Sequence, residues 1–594
     1  MKDLIREAPL GQMLRFLSFN RLFRYPEEQP GFVVPVQYAL QARAEKGIHR
    51  SSSADLPDHA ATGAKDADQL GSQLTSVDRE LGDLGMTRTK SKHYSIPYSS
   101  DRADTERQLD LERTQSIPIR PQVTSEGIVL VDWYTTDDPE NPHNWSSGKR
   151  GFVTFLICAY TWVVYTGSSI YAPSEGGVME QFSVSPVLAS LPLSLYVLAY
   201  GLGPLLWAPL CEIPAIGRNP VYILTFVIFA ALSFPTAVVN NFSGLLALRF
   251  FQGYFGSPAL ANGGATFSDM YSLLYVPYQL SWWVFAAWGG PALGPLMAGF
   301  AVPAKNWHWS LWEIAWMAAP MLLALLLLMP ETSASTILLR RARRLRALTG
   351  DIRLQSQSEI DQRQLSASGI LVNALIKPIE ITLKDPAVMF VNIYTALFYG
   401  IYYTFFEVFP LIFPSQYGFN LGETGLAFLS CQVGAVVGMG SYFAYLHWYM
   451  IPDNLRNGLR QQEHRLIPAV LGSFLISIGL FVFAWTARAS IHWIVPLIGV
   501  VIFVSGTFLV LQSIFVYLPL SYPEYAASLF AGNDLVRSSV ACGSVLFARP
   551  LFLNLGIAEG VTLLGGLSIV GIVGTGAIYH YGAQLRARSK FAQK

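Results

Sequence analysis

The chain has little charge and little cysteine for its length. Only 14% of its 594 residues are charged, and Lys and Arg (41) barely outnumber Asp and Glu (40), whereas soluble proteins are about 25% charged. A nucleic-acid-binding protein carries a strongly basic patch on a basic domain, so this balance argues against that class. The four cysteines form no paired framework and no metal-ligand spacing. We therefore expect them to be small apolar packing residues, with no metal site.

Three further absences limit the function. The sequence has no G-x-x-x-x-G-K-[ST] loop for ATP phosphates, so a nucleotide-driven pump is unsupported. It shows no clean signal peptide. The histidines His447, His464, His492 and His580 are scattered and form no cluster with Ser or Asp that would suggest a membrane-embedded enzyme. We therefore predict that the protein is not an enzyme.

Long apolar runs are abundant instead. Hydrophobic residues make up 52% of the chain and the mean hydropathy is +0.35. A bilayer-spanning helix needs about 20 apolar residues, and by that rule twelve spans are predicted, two sets of six. They start near Phe152, Leu188, Val221, Ser243, Leu280, Ser310, Val388, Gly425, Leu466, His492, Tyr525 and Gly560. A few could instead be buried helices of a soluble protein, but twelve in series indicate an all-α, multi-pass membrane protein.

The distribution of polar residues predicts five regions. Residues 1–148 form an N-terminal region, disordered over about 51–120, where Ser, Asp, Arg and Gln dominate. Residues 149–330 and 388–582 hold the two sets of six spans, 331–387 form a basic linker, and 583–594 form a tail. Residues 4–28 could be a helix lying on the membrane surface, although their arginines do not segregate to one helical face.

Lys and Arg in the loops predict the orientation. They cluster before the first span, between the sixth and seventh, between the eighth and ninth, and in the tail. Because such residues accumulate on the cytoplasmic side, both termini are predicted to be cytoplasmic. The run "RRARRLR", which begins at Arg340, fits this rule without a partner. Binding to anionic lipid or calmodulin remains the alternative.

The motifs resemble one family. The stretches concerned are, in chain order, "REAPLGQMLRFL", "YPEEQPGF", "DDPENPHNWS", "GLGPLLWAPLCEIPAIGRNPVY", "LRFFQGYFGSPALANGGATFSDM", "GGPALGPLMAGF", "NWHWSLWE", "MPETSASTILLRRARRLR", "FAGNDLVRSS" and "YGAQLRARSKFA". On these motifs the chain resembles the fungal major facilitator drug:proton antiporters with twelve spans, in the branch of benomyl, fluconazole and caffeine resistance transporters. This resemblance implies the major facilitator fold, with two six-helix bundles around a central cavity.

The resemblance also implies roles for residues in three motifs. The gating loop between the second and third spans would contain Gly203, Glu212, Gly217 and Arg218. Glu212 and Arg218 could pair in one gate state and part in the other. The antiporter motif of the fifth span would contain Gly290, Pro291, Gly294, Pro295 and Gly299. Prolines bend such a helix and glycines let a neighbouring helix approach. Two departures from the family pattern are Cys211, where many relatives have Ser, and Ala298, where Gly is frequent.

The fourth span would carry the proton-relay motif, with Arg249, Gln252 and Gly253, and Asp269 at its inner end. A permanent cation in a membrane helix needs a partner or a water-filled cavity, and it would lower the pKa of a nearby carboxylate. The alternative is that Arg249 reaches the outer interface along its aliphatic stem. Glu407, Tyr403 and Phe406 on the seventh span are candidate residues of the substrate cavity. Glu407 could instead be structural, and Asp534 with Arg537 are interpreted as a mainly structural pair.

The predicted function is proton-coupled efflux of hydrophobic or cationic drugs across the plasma membrane by alternating access. The proton gradient would drive it without a cofactor, and a monomer embedded in the lipid bilayer is expected. Export of one endogenous secondary metabolite or toxin would use the same motifs and remains the main alternative. Proton-coupled import would use the same fold, with only the fifth-span motif arguing against it.

Overall fold

The computed structural model describes residues 2–35, 38, 106, 116–363, 367–522 and 525–592. Eleven of the described helices are long and apolar enough to cross a bilayer. The segment predicted as the fourth span instead forms two shorter helices, Phe242–Gly256 and Pro258–Met270. Pro258 has no backbone N–H, so the hydrogen-bond ladder is interrupted there. Ser257 keeps helical angles between the halves (φ −70°, ψ −23°), and together they make the fourth of twelve spans.

The spans have the following bounds. The first six are Ser147–Ser169; Leu191–Leu202 with Pro204–Glu212; Arg218–Val238; Phe242–Gly256 with Pro258–Met270; Val276–Ala304; and Trp309–Leu328. The last six are Pro386–Tyr417; Leu421–Ala427 with Leu429–Tyr445; Ile467–Thr486; Ile494–Ser521; Ala526–Leu555; and Ile557–Arg588. Shorter helices precede, connect or extend them: Glu175–Phe182, Pro186–Ala189, Ile451–Asn457, Gln357–Arg363 and Ala367–Lys384.

The two sets of six spans pack against each other along two lines. The second span meets the eleventh, and the fifth meets the eighth. Glycine permits both contacts, because a Cβ on Gly201 would lie 2.3 Å from Cβ of Ser538 and one on Gly425 would lie 2.6 Å from the carbonyl oxygen of Pro295. Small residues let helix backbones approach where no hydrophobic effect drives association in lipid.

One end of the bundles, here called the linker side, carries the segment between the sixth and seventh spans and both chain termini. On it lies a folded cap, defined as residues 2–35 and 116–146 together with the linker helix Ala334–Thr349. Strand β1 (Val129–Leu130) in the cap pairs in parallel with strand β2 (Leu354–Gln355) after the linker helix. Most of the stretch predicted to be disordered, about 51–120, lies outside the described residues.

Buried ion pairs hold the cap together. Arg341, 1% exposed, donates to both carboxylate oxygens of Asp138 at 2.6 and 3.0 Å and lies 3.0 Å from Glu140. Arg344 binds Glu140 at 3.0 Å and Glu27 at 3.1 Å. Arginines of the "RRARRLR" run therefore have specific carboxylate partners, which the positive-inside rule does not predict.

The electrostatics of these carboxylates follow from the same contacts. Burial raises the pKa of Glu27 and of Asp138, but the guanidinium groups outweigh it, so both pKa values lie below their ordinary range. For Glu27 the opposing charges are Arg344 and Arg341, and for Asp138 the opposing charge is Arg341. Glu27 and Asp138 are therefore ionised at neutral pH.

Candidate functional site

Arg249 is completely buried inside the first bundle. Its Nη1 donates to Oε1 of Gln252 at 3.1 Å, and its Nη2 donates to the carbonyl oxygen of Ser168 on the first span at 3.2 Å. The guanidinium also lies 4.3 Å from the ring centre of Tyr196 on the second span, which is a favourable cation–π distance. These contacts all point away from the lipid, so the alternative in which Arg249 reaches the outer interface does not hold in this structure.

The relay motif is packed tightly around this arginine. Gln252 also donates to the hydroxyl of Ser233 on the third span at 2.8 Å. A Cβ on Gly253 would lie 2.4 Å from the carbonyl oxygen of Tyr196, so only glycine allows the second and fourth spans to be this close. Among the described residues, Arg249 has no carboxylate within ion-pair distance, unlike the arrangement that the sequence suggested.

Ser168 connects Arg249 to the second bundle. Its hydroxyl lies 3.1 Å from the hydroxyl of Tyr403 on the seventh span, and Tyr403 lies 3.0 Å from the hydroxyl of Tyr200 on the second span. Tyr200 in turn bonds Tyr399. Hydroxyl groups can both donate and accept, so these side chains form a continuous polar chain across the interface between the bundles.

The far end of this chain is the pair Asp534 and Arg537 on the eleventh span. They form a buried ion pair, and Nη2 of Arg537 also donates to the hydroxyl of Tyr165 on the first span at 3.2 Å. The guanidinium lies 4.5 Å from the ring centre of Tyr399. The sequence interpretation of the pair as mainly structural overlooked these contacts, which join the two bundles.

The gating loop has different partners from those that the sequence suggested. Arg218 forms its ion pair with Asp269 at the end of the fourth span, whereas Glu212 is exposed. Asp269 therefore belongs with the gating loop rather than with Arg249. Gly217 has φ +83°, and a Cβ there would lie 2.4 Å from Oε2 of Glu331, so both the backbone conformation and the space require glycine.

Glu331 fixes the start of the third span. It follows the sixth span, and its carboxylate accepts backbone N–H bonds from Arg218 at 3.3 Å and Asn219 at 3.4 Å. A carboxylate at a helix N-terminus satisfies unpaired N–H groups and complements the helix dipole. Arg340 of the linker helix lies 3.8 Å from the same carboxylate, so the cap and the gating loop meet at this residue.

The antiporter motif forms the contact surface of the fifth span. A Cβ on Gly290 would lie 2.7 Å from the backbone nitrogen of Thr166, and one on Gly294 would lie 2.4 Å from Oγ of Ser169, both on the first span. Gly299 faces the eighth span, where a Cβ would lie 2.7 Å from the carbonyl oxygen of Leu421. Pro291 and Pro295 lie between these glycines, buried within the helix.

A cavity of about 260 Å³ lies between the bundles at the linker side. The inner half of the fourth span, the start of the fifth, the end of the tenth and the start of the eleventh form its walls. Its polar end contains Glu212, Arg218 and Asp269, and its apolar wall includes Leu280, Phe515 and Phe530. Apolar walls with a few convergent polar groups are typical of small-molecule sites.

Glu407, Tyr403 and Phe406 do not line this cavity. Tyr403 belongs to the polar chain, and the ring of Phe406 stacks on Phe428 of the eighth span with centroids 5.1 Å apart. Glu407 is 4% exposed and interacts electrostatically with Arg549, as does Glu175, which follows the first span. The sequence assigned these three residues to one cavity, but their side chains are packed at the bundle interface in this conformation.

Comparison with known proteins identifies the architecture. Residues 157–545 match the sequence profile described as Major Facilitator Superfamily. The chain belongs to the major facilitator superfamily. It is therefore a multi-pass membrane transporter and not an enzyme, as the motifs implied. The superfamily fold also appears in solved structures: the proton:xylose symporter XylE aligns with a TM-score of 0.51 and 12% identity, over 74% of this chain and 96% of that one.

Curated relatives within the superfamily are closer in sequence. The MFS-type transporter pyvG of Aspergillus violaceofuscus is 41% identical over 592 residues, covering 100% of both chains. Fluconazole resistance protein 1 of Saccharomyces cerevisiae is 39% identical over 84% of this chain and 91% of its own. The Cycloheximide resistance protein of Candida maltosa is 34% identical over 100% of both. The resemblance to fungal drug-resistance transporters is thus confirmed.

Sequence reasoning missed the aromatic hydroxyls of the bundle interface. Tyr165, Tyr200 and Tyr399 were not predicted as site residues, because tyrosines in apolar spans are common and most face lipid or packed helices. A useful signal was available in their spacing: Tyr399 and Tyr403 are four residues apart and share a helical face. That spacing alone did not show which residues of the first bundle they contact.

Proposed function

We propose that the protein is a proton-coupled exporter that moves hydrophobic or cationic toxic compounds, including antifungal drugs, outward across the plasma membrane. The names of the fluconazole and cycloheximide resistance relatives support this class of substrate. The arginines of the linker side support a cytoplasmic position for that side and for both termini. The cavity then lies where a compound enters from the cytoplasm or the inner leaflet.

The observation that carries the proposal is the polar chain between the bundles. It begins at a permanent cation, Arg249 in the first bundle, which bonds the backbone carbonyl of Ser168, and it continues through the hydroxyls of Ser168, Tyr403, Tyr200 and Tyr399. The ring of Tyr399 contacts the guanidinium of Arg537, which is the ion-pair partner of the ionisable Asp534 in the second bundle. Protonation of Asp534 would weaken its hold on Arg537, whose guanidinium also bonds Tyr165 of the opposite bundle. Loss or gain of one proton would thus change contacts at the surface along which the bundles rock.

Contacts on the side opposite the linker support the same alternating-access cycle. Glycines of the fifth span hold it against the first and eighth spans on the side opposite the linker. Only the contact of the fifth span with the eighth crosses between the bundles, at Gly299 and Leu421, so outward opening would require that contact to part. In the proposed cycle substrate would enter the cavity from the linker side. At the linker side the Arg218–Asp269 pair lines the cavity, so we assign the gating role to these two residues, with Glu212 exposed beside them.

Drug accumulation in fungal cells that lack their own exporters tests the proposal. Expression should lower accumulation of labelled fluconazole, and an uncoupler should restore it. Arg249→Ala should abolish efflux at normal surface level, and Arg249→Lys should retain part of it, since lysine keeps the charge but loses the planar fork. Arg488→Ala, at an exposed loop arginine, serves as the control.

Each outcome has a defined meaning. If expression lowers the accumulation of none of the toxic compounds tested, drug efflux is refuted and a dedicated metabolite exporter is favoured. Accumulation that rises on expression would indicate import. Efflux that persists in the uncoupler would refute proton coupling, and full efflux by Arg249→Ala would refute the role of this arginine.

A further inference from the structure

A second cavity, also of about 260 Å³, lies in the cap between the N-terminal helix Pro9–Leu17 and the linker helix. Four arginines line it, together with polar and aromatic side chains: Arg15, Arg340, Arg343, Arg344, Gln12, Asn20, Phe16 and Tyr25. No acidic side chain lines this cavity in the part of the chain that the structure describes. Its walls therefore present positive charge only.

The acidic partners of these arginines lie behind the cavity walls. Arg15 pairs with Glu28, and Arg344 pairs with Glu27 and Glu140, none of which lines the cavity. These pairs hold the arginines in place rather than filling the space between them. Arg343, one helical turn from Arg340, is exposed at the rim. The site is thus a preformed cationic cleft.

An exposed apolar face adjoins the cleft. The N-terminal helix packs against the linker-side ends of the third and sixth spans, so it lies level with the edge of the bilayer. Its outward side chains, and those just after it, are large and apolar: Met13 53%, Phe16 80%, Leu17 64%, Phe19 89% and Leu22 54% exposed. Arg21 and Arg24 alternate with them and are exposed too. Basic segments with such a face lie in the membrane interface.

We propose that this cleft binds the phosphate-bearing headgroup of an anionic lipid from the leaflet on the linker side, while the apolar side chains enter among the acyl chains. Phe16 joins the two parts, because it lines the cleft and is also the helix residue with the largest exposed fraction of its side chain. A soluble phosphate or an acidic protein would leave that face uncovered. The inference rests on the cytoplasmic position of the linker side in the proposed function, since the anionic leaflet faces the cytoplasm.

Thermal unfolding of the purified full-length protein in neutral detergent tests the inference. Short-chain phosphatidylinositol 4-phosphate should raise the unfolding midpoint saturably, and short-chain phosphatidylcholine should not. Arg343→Gln should weaken the apparent affinity about fivefold, because an arginine near an anionic lipid surface contributes about 1 kcal/mol. Arg363→Gln, at an exposed arginine outside the cleft, should leave it unchanged.

Two further probes distinguish the source of the ligand. Phe16→Ser should weaken binding of the lipid but not of soluble inositol 1,4-bisphosphate, which should bind far less tightly than the lipid. Equal stabilisation by the soluble bisphosphate or by polyglutamate would overturn the lipid assignment. So would an equal effect of Arg343→Gln and Arg363→Gln, or no stabilisation by any probe. Efflux measured in parallel separates the two proposals, since failed lipid binding with intact drug export contradicts only this one.

Discussion

Replacement of Arg341 by Gln should release the N-terminal part of the cap, residues 2–35 and 116–146, from the linker helix. Arg341 is 1% exposed and makes a two-pronged contact with Asp138 at 2.6 and 3.0 Å. It also lies 3.0 Å from Glu140 and 3.7 Å from Glu27. The variant leaves three buried carboxylates around a single remaining guanidinium, that of Arg344.

The free-energy cost of the substitution depends on the ion-pair and hydrogen-bond partners that each carboxylate retains. Removing one partner of a buried ion pair costs about 3 to 5 kcal/mol. Glu27 and Glu140 keep Arg344, and Asp138 keeps backbone N–H donors from Tyr134 at 2.8 Å and Glu140 at 2.9 Å. The lower end of the range therefore applies. A loss of about 3 kcal/mol reduces the ratio of docked to released N-terminal part roughly 150-fold.

Hydrogen exchange of the backbone amides measures this ratio. The amides of Val129 and Val131 donate to carbonyls of Arg353 and Gln355 across the β1–β2 pairing, so they exchange only when the cap opens. Their exchange should accelerate roughly 150-fold in Arg341→Gln. A second variant, Asp138→Asn on the Arg341→Gln background, should recover part of the protection, because it removes one uncompensated charge.

Arg343→Gln provides the matched control. Arg343 lies on the same helix two residues later and is exposed, so its loss should leave the protection of Val129 and Val131 unchanged. Equal protection in the Arg341 and Arg343 variants would refute the reasoning, since it would mean that the buried ion pairs do not hold the cap.

Three other predictions follow from the structure. The pKa values of Glu27 and Asp138 are lowered from ordinary values of 4.5 and 3.8, so the protection that these two carboxylates give should be complete above about pH 5 and lost only in stronger acid. Exchange of Val129 and Val131 with the intrinsic pH effect removed measures this, and the absence of any loss of protection in strong acid would contradict it. Gly294→Ala should lower the unfolding midpoint and surface level, because its Cβ would lie 2.4 Å from Oγ of Ser169 and overpacking costs about 1 to 3 kcal/mol, whereas Gly576→Ala, with no atom within 4 Å of its Cβ, should change neither. Tyr403→Phe should reduce uncoupler-sensitive efflux at normal surface level, because it removes the hydroxyl at the centre of the polar chain; unchanged efflux would exclude that chain from coupling.

The spans and their grouping could be predicted from the sequence because they depend on local composition. A run of about 20 apolar residues is sufficient to indicate a membrane helix. The break at Pro258 shows the limit of that rule, since hydropathy does not register a missing N–H group in an apolar run. The close packing at Gly294 was also anticipated, although the residue it contacts was not.

The partners of charged residues could not be predicted in the same way. Arg218 pairs with Asp269, 51 positions away, rather than with nearby Glu212, and Arg341 pairs with Asp138, 203 positions away. Both choices depend on how helices are rotated and which ends come together. The sequence placed Arg218 in the gating loop and Arg341 in a basic linker, but it gave no information on which distant opposite charge would reach them.

The amino-acid sequence by itself therefore determined the membrane class, the two sets of six spans, the family motifs and the basic character of the linker side, since each depends on residue type over short distances. Only the tertiary structure decided that Arg249 faces inward, that Ser168 joins it to Tyr403 of the other bundle, and that a polar N-terminal segment folds onto the linker helix. The physical reason is that buried polar groups must find partners, and in a helical membrane protein those partners come from distant segments brought together by packing.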